Sequence, residues 1–194
     1  MSNKLISGVI AASILSVAFG TTASAEMGMT KASAEKTVNV GGAPMYPSRN
    51  IIQNAVNSKD HTTLVAAVKA AELVDTLSGP GPFTVFAPTN AAFGKLPAGT
   101  VETLVKPENK PTLTKILTYH VVAGRLSSAD LQAKVKAGGG KAMLTTVEGE
   151  PITVQSKNGA LWLWDAKGGS SKVTIANVNQ SNGVIHVVDT VLMP

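Results

Sequence analysis

Few residues in this 194-residue sequence are both reactive and usefully spaced. There are three histidines, His61, His120 and His186, and no cysteine. No two histidines have the spacing of a zinc pair, and thiolate ligands are missing. The carboxylates are scattered, and Glu148 and Glu150 stand two apart in a turn, where solvated charge is the ordinary state. There is no calcium loop, phosphate loop or Gly-x-Ser-x-Gly elbow. His186 and Asp189 could be drawn into a triad with any serine, but the spacing selects none. The expectation is a protein that is not an enzyme, with no catalytic residue, metal site or cofactor.

Recognition chemistry is better represented. Trp162 and Trp164 alternate with Leu161 and Leu163, so on a strand the two indoles share one face and the two leucines the other. The simple arrangement turns the leucines inward and leaves the indoles on an outer face. There they can cover the sheet or bind a sugar ring, a flat ligand or a partner. Tyr119-His120 falls at a helix end before Val121-Val122. It either locks helix to strand or presents an exposed recognition pair. His186 lies in an apolar run and Asp189 interrupts it, so each needs a hydrogen-bond partner if buried. For Asp189 the expected partner is a loop amide. His61 is expected to be an exposed first-turn residue.

These residues depend on the elements that hold them, above all Gly81 to Phe93. Phe83, Val85 and Ala87 alternate with Thr84 and Phe86, which gives a strand with apolar character on both faces. Pro88 ends it by removing a ladder donor. Thr89 and Asn90 offer oxygens to cap a short helix carrying Phe93. Three of the four phenylalanines lie here.

Residues 48–78 have helical spacing. Ser48 is expected to cap a helix with Ile51, Ile52 and Ala55, and Asp60 one with Leu64, Val65 and Val68. Further short helices are expected after Thr100, from Pro111 and after the capping box Ser127-Ser-Ala-Asp130. From Lys141 the period changes to two. Five strands follow, with Asn158-Gly159 and Asn182-Gly183 as hairpin signals. Helices first and an antiparallel meander afterwards mean α+β. The apolar segment 184–192 is the expected central partner of the strand at 83–87.

Residues 1–25 read as an export signal: one lysine, an apolar run from Leu5 to Gly20, and Ala23-Ser24-Ala25 as the cleavage site. No transmembrane segment is expected after its removal. Residues 26–47 read as a flexible leader and 48–194 as one domain. A net charge of +5 without a basic-aromatic cluster argues against nucleic acid. The expected location is secreted, in the periplasm or at the cell surface.

Three motifs carry a family resemblance. Gly81-Pro-Phe-Thr-Val-Phe-Ala-Pro-Thr-Asn-Ala-Ala-Phe93 resembles the first signature of the fasciclin (FAS1) domain, Tyr119-His120-Val121-Val122 its Tyr-His motif, and Asn182 to Pro194 its second signature. They stand in the family's order and spacing, over roughly 48–194. The resemblance implies a wedge-shaped β-sandwich of about seven strands with several short helices packed against it. It implies a small, single-domain secreted bacterial member that works in adhesion, with Tyr119 and His120 as recognition candidates. Phe83, Phe86, Pro88, Thr89, Asn90, Phe93, His186 and Asp189 then identify the fold rather than the binding site.

The function expected from residues and resemblance together is a non-enzymatic surface-interaction module. Its partner would be an envelope component, a matrix polysaccharide or a protein, with self-association as a route to multivalency. The alternative is a binder of a small hydrophobic ligand, a tetrapyrrole or a lipid, in a cleft near Trp162, Trp164 or Met143.

Overall fold

The computed structural model describes residues 36–194, so the export-signal reading lies outside the described residues. Two three-residue strands, β1 (Val38–Val40) and β2 (Ala43–Met45), pair as a hairpin and bury Val40 and Met45. The flexible-leader expectation is therefore corrected over 38–45. Gly41 and Gly42, both at positive φ, make the tight turn that closes the pair.

Short helices follow: α1 (Ile51–Ala55), α2 (Thr62–Ala70) and α3 (Val74–Ser78). The α1 cap is Asn50 rather than Ser48. Its side chain accepts from the Gln53 amide while the Gln53 side chain returns a bond to the Asn50 amide. Asp60 does not cap α2. It sits in a 3-10 turn, Lys59–His61, and α2 begins just after.

Strand β3 (Phe83–Pro88) leads into α4 (Asn90–Gly94), capped by Thr89 through the Ala92 amide. Then come α5 (Thr100–Leu104), α6 (Lys110–Tyr119), β4 (Val121–Ala123) and α7 (Ser128–Ala137). The capping box at Ser127 and Asp130 is present. Five strands complete the domain: β5 (Lys141–Thr145), β6 (Pro151–Lys157), β7 (Ala160–Trp164), β8 (Ser170–Gln180) and β9 (Gly183–Val188).

Seven strands form one mixed sheet in the order β4-β3-β9-β8-β7-β6-β5. β3 and β9 are parallel and central, in register from Phe83–Gly183 to Pro88–Val188. Gly183 is required there, because a Cβ would overlap the Phe83 carbonyl. β8 is bulged between Val173 and Val178, with Asn177 at φ 59°, and bends the sheet. The two edges nearly meet: Val122 bridges Thr146, and the Val147 amide donates to the Val121 carbonyl at 2.7 Å. The sheet is thus almost closed as a barrel.

The two faces of the central strands explain their composition. Val85, Ala87, Ile185 and Val187 pack under the helices with Val68, Leu77, Leu113 and Leu117. Phe86 and Val188 point the other way, into the barrel, against Leu131, Ile152, Leu161 and Leu163. A strand covered on both sides has no polar face to show.

Candidate functional site

Tyr119 closes α6 with no exposed surface, and its hydroxyl donates to the Pro151 carbonyl at 3.1 Å. His120 is buried next to it. Its Nδ1 donates to the Ile116 carbonyl at 2.8 Å, and its Nε2 accepts the Leu192 amide at 3.1 Å. The ring therefore ties α6 to the segment after β9. Burial pushes its pKa down, against a smaller opposing effect of the Ile116 carbonyl. Of the two arrangements open to Tyr119-His120 in the sequence, the structure has the lock, and neither ring is presented to solvent.

His186 is stacked on Phe86 and buried. Its Nε2 donates to the Leu126 carbonyl at 2.8 Å and its Nδ1 faces the Asn177 amide at 3.4 Å. Burial lowers its pKa. Asp189 accepts the Lys172 amide at 2.9 Å and the Thr190 hydroxyl at 3.0 Å, with Lys95 at 3.8 Å. Its amide partner lies on strand β8 rather than in a loop. Partial burial works against the carboxylate, yet these donors prevail and hold its pKa below the ordinary value.

His61 departs from expectation: it is only 3% exposed. The 3-10 turn that carries it is pinned to the β1–β2 turn, where the Gly41 carbonyl accepts the Lys59 amide, and to α4, where Asn90 donates to the Lys59 carbonyl; its local sequence announces neither contact. Nδ1 pairs with the Ser58 hydroxyl at 2.9 Å, while Nε2 makes no hydrogen bond of normal geometry. Burial lowers its pKa, with the Ala87 carbonyl and Asp60 opposing. Among the described residues no cluster of three or more His, Asp or Glu could hold a metal ion.

The remaining sequence-predicted residues fall into two groups. Phe83, Phe86, Pro88 and Phe93 pack in or beside the core. Asn90 has a role that its cap reading missed. Its Oδ1 accepts the Thr63 amide at 3.0 Å and its Nδ2 donates to the Lys59 carbonyl at 2.8 Å. It thus supplies, from α4, the N-terminal cap that α2 lacks in its own sequence.

The second group makes a surface. Leu161 and Leu163 are buried, while Trp162 and Trp164 lie half-buried on the outer face of β7. Strand register extends that face in two rows. One runs Lys141, Gln155, Trp162, Lys172; the other runs Met143, Thr153, Trp164, Ser170. Met143 is 69% exposed. Lys141, Gln155 and Lys172 were not singled out from the sequence, though alternation along their strands puts them on the face of the indoles. The result is an aromatic strip with cations on both flanks and amide and hydroxyl groups between. It can stack on flat apolar surfaces and donate hydrogen bonds to anions.

A separate concavity lies on the helical side of the sheet, away from the tryptophans. It is lined by α1, α2 and α3 above and by Val85, Leu117 and Val121 below. Its walls are apolar except for Lys69 and His120.

Comparison with known proteins puts these features in context. The fasciclin domain family model matches residues 59–194. Protein sll1483 of Synechocystis sp. is 47% identical over 174 residues, covering 90% of this chain and 87% of that one. Immunogenic protein MPB70 of Mycobacterium bovis is 40% identical over 145 residues, covering 72% of this chain and 66% of that one. Cell surface glycolipoprotein MPB83 of the same species is 33% identical, covering 86% of this chain and 70% of its own. Among solved structures, the domain pair of the insect cell adhesion molecule fasciclin I superposes with a TM-score of 0.67 at 20% identity. That match covers 77% of this chain and 52% of the pair, so this chain spans about half of that structure.

Proposed function

The chain belongs to the fasciclin domain family, and on that premise we propose that it is a non-enzymatic surface-interaction module for an anionic envelope or matrix polysaccharide. The observation that carries this reading is the row Lys141, Gln155, Trp162, Lys172 on the outer face of β5 to β8. Sugar rings offer apolar faces that stack on indoles, and their carboxylates and hydroxyls accept from lysine and glutamine side chains. Family membership supports the setting, since fasciclin domains are associated with adhesion and surface proteins. Export to the periplasm or cell surface belongs to the same reading and rests on the signal at 1–25. No helix among the described residues is long and apolar enough to cross a membrane. A single face per chain binds weakly, so firm adhesion requires self-association or a repeating polymer.

Affinity electrophoresis tests the reading, with alginate as the acidic polymer and dextran as the neutral one. The protein should be retarded by alginate, less so at high salt, and hardly by dextran. Trp162→Ala/Trp164→Ala should abolish the retardation while the melting temperature stays close to that of the unaltered protein. Equal mobility of the unaltered protein with and without alginate would overturn it.

A further inference from the structure

We propose that a groove between α5, α6 and the turn that joins β7 to β8 holds one uronate residue of the acidic polymer. The inference deepens the polysaccharide reading and rests on it. The groove has a volume of about 200 Å³ and is open to solvent. A closed space of about 150 Å³ takes up a benzene ring, so this groove admits one pyranose ring with its linkages at the mouth. Buried Ile116 and half-buried Leu104 and Met193 give it an apolar floor. Thr112, Lys115 and Lys167 are exposed around that floor, with half-buried Thr100 beside them, and no aspartate or glutamate is on the lining. One carboxylate positions two of its walls. Asp165 accepts the Lys167 amide at 3.0 Å and the Gly169 amide at 2.6 Å through Oδ1, and the Met193 amide at 3.1 Å through Oδ2. A Cβ at Gly169 would overlap that carboxylate, so the turn needs glycine there. Lys167 and Met193 are thus held in place before any ligand arrives.

The ligand class follows from the groups left over. The Lys115 ammonium is 2.9 Å from Glu150 and 3.5 Å from Glu148, so its charge is already answered. Lys167 forms no ion pair among the described residues, and the hydroxyls of Thr100 and Thr112 form no hydrogen bond among them. A ring with an apolar face, hydroxyls along its edge and one carboxylate uses the floor, the threonines and Lys167 together. A neutral sugar leaves Lys167 unused, and a plain alkyl acid leaves the threonines unused. Position agrees with the polymer. Lys167 is three residues beyond Trp164, at most about 11 Å along the chain, so a polymer resting on the outer face of β7 can reach the groove.

Titration of the isotope-labelled protein with dimannuronate and with neutral mannobiose, followed by amide NMR shifts, tests the site. Dimannuronate should move the amides of Thr100, Thr112, Ile116 and Met193 saturably, and mannobiose should bind about fivefold more weakly. Lys167→Glu should weaken dimannuronate by about fivefold and leave mannobiose unchanged. Thr112→Trp, an exposed position that fills the groove, should abolish the shifts while the melting temperature stays close to that of the unaltered protein. Trp162→Ala/Trp164→Ala should keep the groove shifts and lose the retardation by alginate, so the two sites are separable. Groove shifts without any retardation of the unaltered protein by alginate would overturn the polymer reading while upholding the uronate site. The groove proposal itself is overturned if dimannuronate leaves these amides unmoved, or if folded Thr112→Trp binds it as tightly as the unaltered protein.

Discussion

Phe86 and His186 lie opposite each other on the parallel strands β3 and β9, with ring centroids 5.7 Å apart and planes inclined by 26°. Neither side chain has measurable exposure. The stack joins an apolar ring to one whose two nitrogens are turned toward the Leu126 carbonyl and the Asn177 amide. It packs the inside of the barrel, and through His186 it ties the segment before α7 and the bulge of β8 to the central strands.

Removing the phenyl ring leaves a void that neighbours on the rigid central strands cannot fill. Phe86→Ala should therefore cost about 3–5 kcal/mol of stability. Urea unfolding monitored by Trp162 and Trp164 fluorescence measures it. A loss below about 1 kcal/mol would mean that the ring is not a core residue.

Acid should destabilise the fold through its histidines. His61, His120 and His186 are all buried with pKa values below the ordinary 6.5. The unfolded chain then binds more protons than the folded one. Their contribution is complete above about pH 6.5 and is lost as pH falls below it toward the depressed folded values. Each histidine that stays neutral in the fold adds up to about 1.4 kcal/mol per pH unit to this slope. Urea titrations between pH 7.5 and 5 should show the decline, and His186→Gln should make it shallower. A pH-independent midpoint would contradict the buried neutral state.

Asp189 gathers donors from Lys172 and Thr190, whereas its contact with Lys95 is long and half-exposed. Asp189→Ala should destabilise by about 1–3 kcal/mol. Lys95→Ala should cost no more than about 0.5 kcal/mol, as an exposed ion pair does. Equal losses in the two variants would move the weight from the hydrogen bonds to the ion pair.

Asn90→Ala unties α4 from the start of α2 and should cost about 1–2 kcal/mol, the value of a helix cap. Hydrogen exchange gives the sharper reading. The Thr63 amide should lose protection while amides in β8 and β9 keep theirs. Unchanged protection at Thr63 would show that the helix start is held by something else.

The central strands and the meander were legible in the sequence because local rules govern them. Period-two alternation and the Asn-Gly pairs suffice for β6, β7 and their turn, and apolar residues on both faces mark β3 and β9 as interior. The hairpin at 38–45 was not legible, because each strand has three residues and gains its stability by covering Val85 and Ile185 far along the chain. His61 was misread for the same reason: the turn that carries it is held by α4 and by the hairpin, through bonds to Lys59. Asn182 read as a turn residue, yet its side chain accepts the Ile51 amide and donates to the Leu77 and Gly79 carbonyls. Asn54 and Gln180 likewise form a buried polar pair across the chain. The surface rows were half legible. Trp162 and Trp164 stand out as residues, whereas Lys141 and Lys172 join them only once strand register is known.

Each residue of β3 pairs with one a hundred positions further on, Phe83 with Gly183 at the start. During synthesis, β3 and the helices around it are therefore complete long before their central neighbour exists. Phe86 cannot meet His186, the ring that it stacks on, until the last strand has been made. β3 can pair with β4 and pack on the helices early, but its parallel neighbour β9 follows the whole meander. Such a delay keeps a nascent chain pliable for most of its synthesis, a state suited to passage through a narrow channel and hazardous to a chain left in a crowded compartment.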